Sequence, residues 1–165
     1  MKKKRNAQIF LLIKSIIILS FEPIQGALAQ ELTLNIANKV TISVEKATTP
    51  KERNEGLMFR RFLSPKHGML LAFENTKRVS VWMKNTYISL DVLFVSASGR
   101  IVRIVPQTTP LSTTSIPSKQ PVRFVLELPA GTCKKHNILV GDQILSLIGN
   151  ETPRSQKTTR MKKVS

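Results

Sequence analysis

Apolar and polar residues alternate along much of the chain from residue 32 onward. Val40, Ile42 and Val44 fall on one side of an extended backbone, with Thr41, Ser43 and Glu45 on the other. That period of two marks a half-buried strand. Leu32, Leu34 and Ile36 carry the same pattern just upstream. A helix is predicted next. Thr49 is placed to cap it, Pro50 fits the first helical position, Glu52 completes a capping box, and Gly56 can take a left-handed closing conformation. Those limits leave room for about two turns.

Further strands are predicted at residues 69–73, 79–83, 90–95 and 100–105, with Ser96-Ala97-Ser98-Gly99 as a hairpin turn between the last two. Residues 106–121 hold four prolines among serines and threonines and read as a long polar loop. A strand at 122–128, a short helix at 131–137 and a closing strand at 143–148, after a turn at Gly141-Asp142, complete the pattern. Seven or eight short strands with two short helices predict a mainly β, compact sandwich or barrel-like domain.

The N-terminus changes the picture of where this domain works. Lys2, Lys3, Lys4 and Arg5 precede an apolar stretch at residues 9–21, interrupted by Lys14, and Ala27-Leu28-Ala29 forms a small-x-small site. This layout predicts a cleaved signal peptide at residues 1–29 and a periplasmic or secreted product. A spanning helix needs about 20 apolar residues, and this stretch ends sooner, at Glu22-Pro23. Residues 30–151 then form one domain. Residues 152–165 lack apolar periodicity and are expected to be a disordered basic tail.

The net charge of +16 divides unevenly: +4 in the signal, +5 in the tail and +7 between them. A basic exported protein meets envelope glycans or other anionic ligands rather than nucleic acid; the tail reads first as a solvated terminus, with weak contact with a membrane surface as the alternative. The single cysteine, Cys133, excludes an internal disulfide. His136 three residues on could pair with it on a helix, but a small buried thiol is the commoner reading. Met58, Met69 and Met83, with His67, raise a soft-metal reading; each methionine sits in an apolar run, which favours core filling. No phosphate-binding glycine loop, paired Cys-x-x-Cys, Gly-x-Ser-x-Gly or His-Glu-x-x-His is present, and no metal or cofactor is expected.

The segments most suggestive of a site are Gly56-Leu57-Met58-Phe59-Arg60-Arg61, Gly68-Met69-Leu70 and Trp82-Met83-Lys84-Asn85-Thr86, then Leu90-Asp91-Val92-Leu93-Phe94 and Leu126-Glu127-Leu128-Pro129-Ala130-Gly131. In order and spacing they resemble the family called domain of unknown function 192, over roughly residues 40–148. The resemblance implies a mainly β fold and an export habit, with no established activity and no requirement for a cysteine at position 133.

The residues themselves nominate Arg60, Trp82, Lys84, Asn85, Asp91 and Glu127 as ligand-binding candidates. On an extended strand Trp82 would stand between Arg78, Ser80 and Lys84, a flat apolar ring flanked by cations and followed by the Asn85 amide. The alternative has Trp82 plugging the core. Asp91 in an apolar strand calls for a partner, with Lys84, Arg53 or Arg60 as candidates. Asp91 and Glu127 sharing one cleft would make an acid–base pair for an envelope saccharide hydrolase; as structural ion pairs they would only brace the fold. The expected function is a non-catalytic, monomeric binding or accessory module of the cell envelope. A saccharide hydrolase and a purely structural domain are the alternatives.

Overall fold

The computed structural model describes residues 32–147. The segments expected as signal peptide, residues 1–29, and basic tail, residues 152–165, lie outside this span.

The chain runs β1 (Leu32–Ile36), β2 (Val40–Ala47), α1 (Pro50–Glu55), β3 (His67–Lys77), β4 (Ser80–Val81), β5 (Leu90–Val95), β6 (Ile101–Val105), β7 (Ile116–Pro117), β8 (Val122–Pro129) and α2 (Thr132–Lys135), then a 3-10 turn at Leu145–Leu147. Six strands form one sheet in the order β1-β2-β3-β8-β5-β6; β4 and β7 pair as a small second sheet. The fold is mainly β, as its alternation predicts. β2 and β3 run parallel, so the chain must cross over between them, and α1 lies in that crossover.

Both faces of the large sheet are covered. One buries Leu34, Ile42, Leu70, Leu93 and Leu126 beneath Cys133, Ile138 and Leu147. The other buries Met69, Leu71, Val92, Phe94 and Val125 beneath Leu57, Leu63 and Met83. β5 contributes to both layers, and every one of its residues is buried. A strand covered on two sides needs apolar residues at successive positions, hence the run Leu-Asp-Val-Leu-Phe-Val in place of alternation.

The turn chemistry is as predicted at two places. The Thr49 hydroxyl accepts from the Glu52 amide at 3.2 Å and the Glu52 carboxylate accepts from the Thr49 amide at 2.9 Å, so the capping box is complete. Gly99 sits at φ 76° in the hairpin between β5 and β6. Three expectations need correction. The strand at 79–83 is only Ser80–Val81, because the chain turns at Met83, whose carbonyl accepts from the Thr86 amide at 3.0 Å. The loop at 106–121 contains a strand, β7, held by pairing Pro117 with Ser80 and Ile116 with Val81. The expected closing strand is absent as such. Isolated bridges join Gln143 to Arg100 and Ile144 to Ile36 before the chain enters the 3-10 turn. This strap touches the ends of both edge regions: Ala37 donates to the Gln143 carbonyl at 2.8 Å and Ile101 to the Asp142 carbonyl at 2.9 Å. It draws an otherwise open sheet toward a barrel-like closure.

Candidate functional site

Gly56 ends α1 at φ 49° and ψ −128°, a conformation that disfavours any residue with a Cβ. The reversal sends Leu57 down into the core, at 2 % exposure, and seats α1 across one edge of the sheet face that carries Met69 and Val125. Between α1, β3, β4 and the segment 82–90 lies a cleft of about 650 Å³, within the usual range for small-molecule sites. Its walls are mostly apolar: Leu57, Leu71, Phe73, Met83 and Leu90.

Glu127 lines this cleft from β8. In register it sits between Met69 of β3 and Val92 of β5, so its side chain shares their apolar face. It is 6 % exposed, and among the described residues no hydrogen bond or ion pair reaches its carboxyl group. A methyl group built on Gly56 would lie in ordinary van der Waals contact, 3.7 Å from its Oε2, so the end of α1 passes directly beside the carboxyl. Loss of hydration pushes the acid up to about 7. Near neutral pH it therefore stands on the border between a neutral acid, which donates and accepts, and a carboxylate, which only accepts.

Trp82 lines the same cleft and is 48 % exposed, which places the indole at the surface and corrects the core-plug alternative. Two cations also line it. The Arg53 guanidinium lies 4.9 Å from the centre of the Phe73 ring and donates to the Ala72 carbonyl at 3.0 Å; the Lys77 ammonium lies 5.7 Å from the same ring. The neighbouring loops are held in costly backbone geometry, with Phe59 at φ 64°, Asn85 at φ 56° and Leu111 at φ 61°. Such outliers in bulky residues persist where surrounding contacts impose them.

Of the six candidates, Trp82 and Glu127 meet at the cleft and the other four do other work. Arg60 makes a bidentate pair with Glu45, both contacts at 2.5 Å, which fastens the segment after α1 to β2. The Lys84 ammonium lies 5.5 Å from the centre of the Trp82 ring and does not line the cleft. The Asn85 carbonyl accepts from the Phe59 amide at 2.7 Å and its side-chain amide reaches the Met58 sulfur at 4.0 Å, so it ties two loops together.

Asp91 is fully buried, and its partners are not the cations expected from sequence. Its Oδ1 accepts from the Gln107 and Gly131 amides at 2.9 and 3.1 Å, and its Oδ2 from the Cys133 amide at 2.8 Å. It pairs in register with Leu128, whereas Glu127 pairs with Val92, so the two carboxyls point to opposite faces of the sheet. This geometry overturns the proposed Asp91–Glu127 acid–base pair.

Cys133 is likewise structural. Burial, and then the Asp91 charge beside it, push the thiol up to about 12, which removes the thiolate a nucleophile requires. Met69 and Met83 are core residues, and Met58 lines the cleft. Among the described residues no three histidine, cysteine or acidic side chains gather as a metal set.

Two cleft residues, Phe73 and Lys77, lie outside the segments singled out by sequence, whereas Gly56 and Met58 belong to one of them without being among the six candidates. The capping box and the glycine locate the end of α1, but which strand it lies against is a tertiary fact without a local signal.

The profile of the domain of unknown function 192 family, described as an uncharacterized ACR, matches residues 32–146. The chain belongs to that family. Among solved structures it is similar to a protein from Sinorhizobium meliloti described as a candidate transcription regulator, at 43% identity and a TM-score of 0.64, over 68% of this chain and 89% of that one. It is also similar to a protein of unknown function from Novosphingobium aromaticivorans, at 30% identity and a TM-score of 0.67, over 74% of this chain and 88% of the other. No curated protein matches.

Proposed function

We propose that the protein is an exported, non-catalytic binding module of the cell envelope whose cleft takes a small molecule with an apolar body and a polar or anionic head. The carrying observation is Glu127: a carboxyl group at 6 % exposure that lines an otherwise mostly apolar cleft and has no hydrogen bond or ion pair from the described residues. A ligand that enters the cleft can hydrogen-bond to this group where bulk water competes weakly. The walls suit an aliphatic or aromatic body, and the exposed face of Trp82 suits stacking at the mouth. Arg53 and Lys77 favour a negative head, with Glu55 the opposing charge at the same cleft. Export is supported by the basic, apolar and small-residue pattern of residues 1–29.

The chemistry of Glu127 carries a pH sign. In its neutral form it can donate a hydrogen bond to an anionic head; once ionised it repels one. Affinity for anionic ligands therefore falls as pH rises through about 7.

The test is a fragment screen of aliphatic and aromatic monocarboxylates and neutral amides, read by the emission of Trp82, the chain's one tryptophan. Hits should quench or shift that emission and lose about tenfold in affinity in Glu127→Leu, the value of one hydrogen bond to a buried group. A library without a Trp82 response, or hits that bind the variant equally well, would remove the proposal.

A further inference from the structure

Beside the cleft, three loops expose large apolar side chains that the core does not use. Phe59 and Phe62 are 60 % and 74 % exposed, and Trp82, Tyr87 and Leu111 are exposed as well. The loops are tied into one surface. Phe59 donates to the Asn85 carbonyl, Leu111 donates to the Thr86 carbonyl at 3.0 Å, and the Arg61 guanidinium lies 5.1 Å from the Tyr87 ring centre. The three left-handed residues noted above, Phe59, Asn85 and Leu111, sit in these same loops.

Charge on these loops is of one sign. Residues 57–63, 82–88 and 109–113 carry Arg60, Arg61 and Lys84 and no acid. Arg60 is occupied by Glu45, which leaves Arg61 and Lys84, each stacked on an exposed ring. Residues 32–147 as a whole hold sixteen basic and seven acidic residues. Aromatic rings interleaved with cations suit the headgroup layer of a bilayer, where the rings enter the acyl boundary and the cations meet lipid phosphates.

We infer that these loops form a docking surface for an anionic lipid bilayer, with Phe59, Phe62 and Leu111 inserting and Arg61 and Lys84 pairing with headgroups. This inference concerns the domain's own loops rather than the terminal basic segments, and it stands whatever fills the cleft.

The experiment uses the full chain with phosphatidylcholine vesicles, with and without phosphatidylglycerol, whose acyl chains carry bromine. Trp82 lies within the surface, so bromine quenching reports insertion at that spot and ignores attachment through the termini. Quenching is expected with the anionic vesicles. Phe62→Ser combined with Leu111→Ser should lower the apparent affinity about tenfold, as expected for losing apolar burial. Arg61→Glu combined with Lys84→Glu should abolish the preference for phosphatidylglycerol. All four positions are exposed, so thermal melts of the variants should match the parent. Sedimentation with vesicles while Trp82 stays unquenched would overturn the inference, as would quenching that survives both double variants. Quenching by a soluble acidic glycan and not by vesicles would overturn it in favour of a glycan surface.

Discussion

On β5 the Asp91 carboxylate lies among three backbone amides, and one strand over the Glu127 carboxyl has no partner among the described residues. The amides take the place of water around Asp91 and fix the turn into α2, so that acid works for the fold. Asp91→Asn keeps the size but offers one oxygen for three donors, and should cost ~3 kcal/mol in urea denaturation. Glu127 behaves in the opposite sense. Its folded value of about 7 lies above the ordinary 4.5, so the native state holds the proton longer than the unfolded chain does. The contribution of this one group is then fully present below about pH 4.5, falls between there and pH 7, and levels off above, a loss on the order of 3 kcal/mol at most. Glu127→Gln should flatten that slope and raise stability at pH 8; an unchanged slope would show that burial does not govern this group. Cys133, pushed up to about 12, should resist iodoacetamide at pH 8 until urea unfolds the chain.

Elements show where local chemistry decides the structure and where it does not. The helix at α1 and the hairpin at Gly99 were legible because a capping box and a positive-φ glycine act within a few residues. β7 was hidden: two residues ending in proline carry no period, and only the partner strand β4 makes them a strand. The register between strands also lies outside local pattern. The face carrying Glu127 could be read from its alternation with Val125, but not that a cleft covers it. Two glycines connect these elements to the site. A Cβ on Gly68 of β3 would lie 2.6 Å from the Glu127 carbonyl oxygen, a backbone atom that cannot retreat cheaply, and 2.8 Å from Leu128 Cδ2. Gly68→Ala should cost ~1–3 kcal/mol by overpacking at the strand that carries the acid, measurable as a lower thermal midpoint.

At the scale of the molecule, two layers of core divide the work. The face with Asp91 and Cys133 is closed by α2 and the terminal turn, whereas the face with Glu127 is left partly open under α1. The sequence nominated Trp82 and Glu127 separately, the one among cations and the other beside Asp91, and those two residues line one cleft. It also nominated Arg60, Lys84, Asn85 and Asp91, which are conspicuous for reasons of loop fixing, because a charge in an apolar run looks the same whether it grips the fold or a ligand. The distinction rests on the protonation and partners of Glu127. A carbon-13 NMR titration of its side-chain carboxyl in the full chain measures both. The expected midpoint lies near 7 and moves when a cleft ligand is added. A midpoint at the ordinary 4.5, unmoved by any ligand that perturbs Trp82, would contradict it.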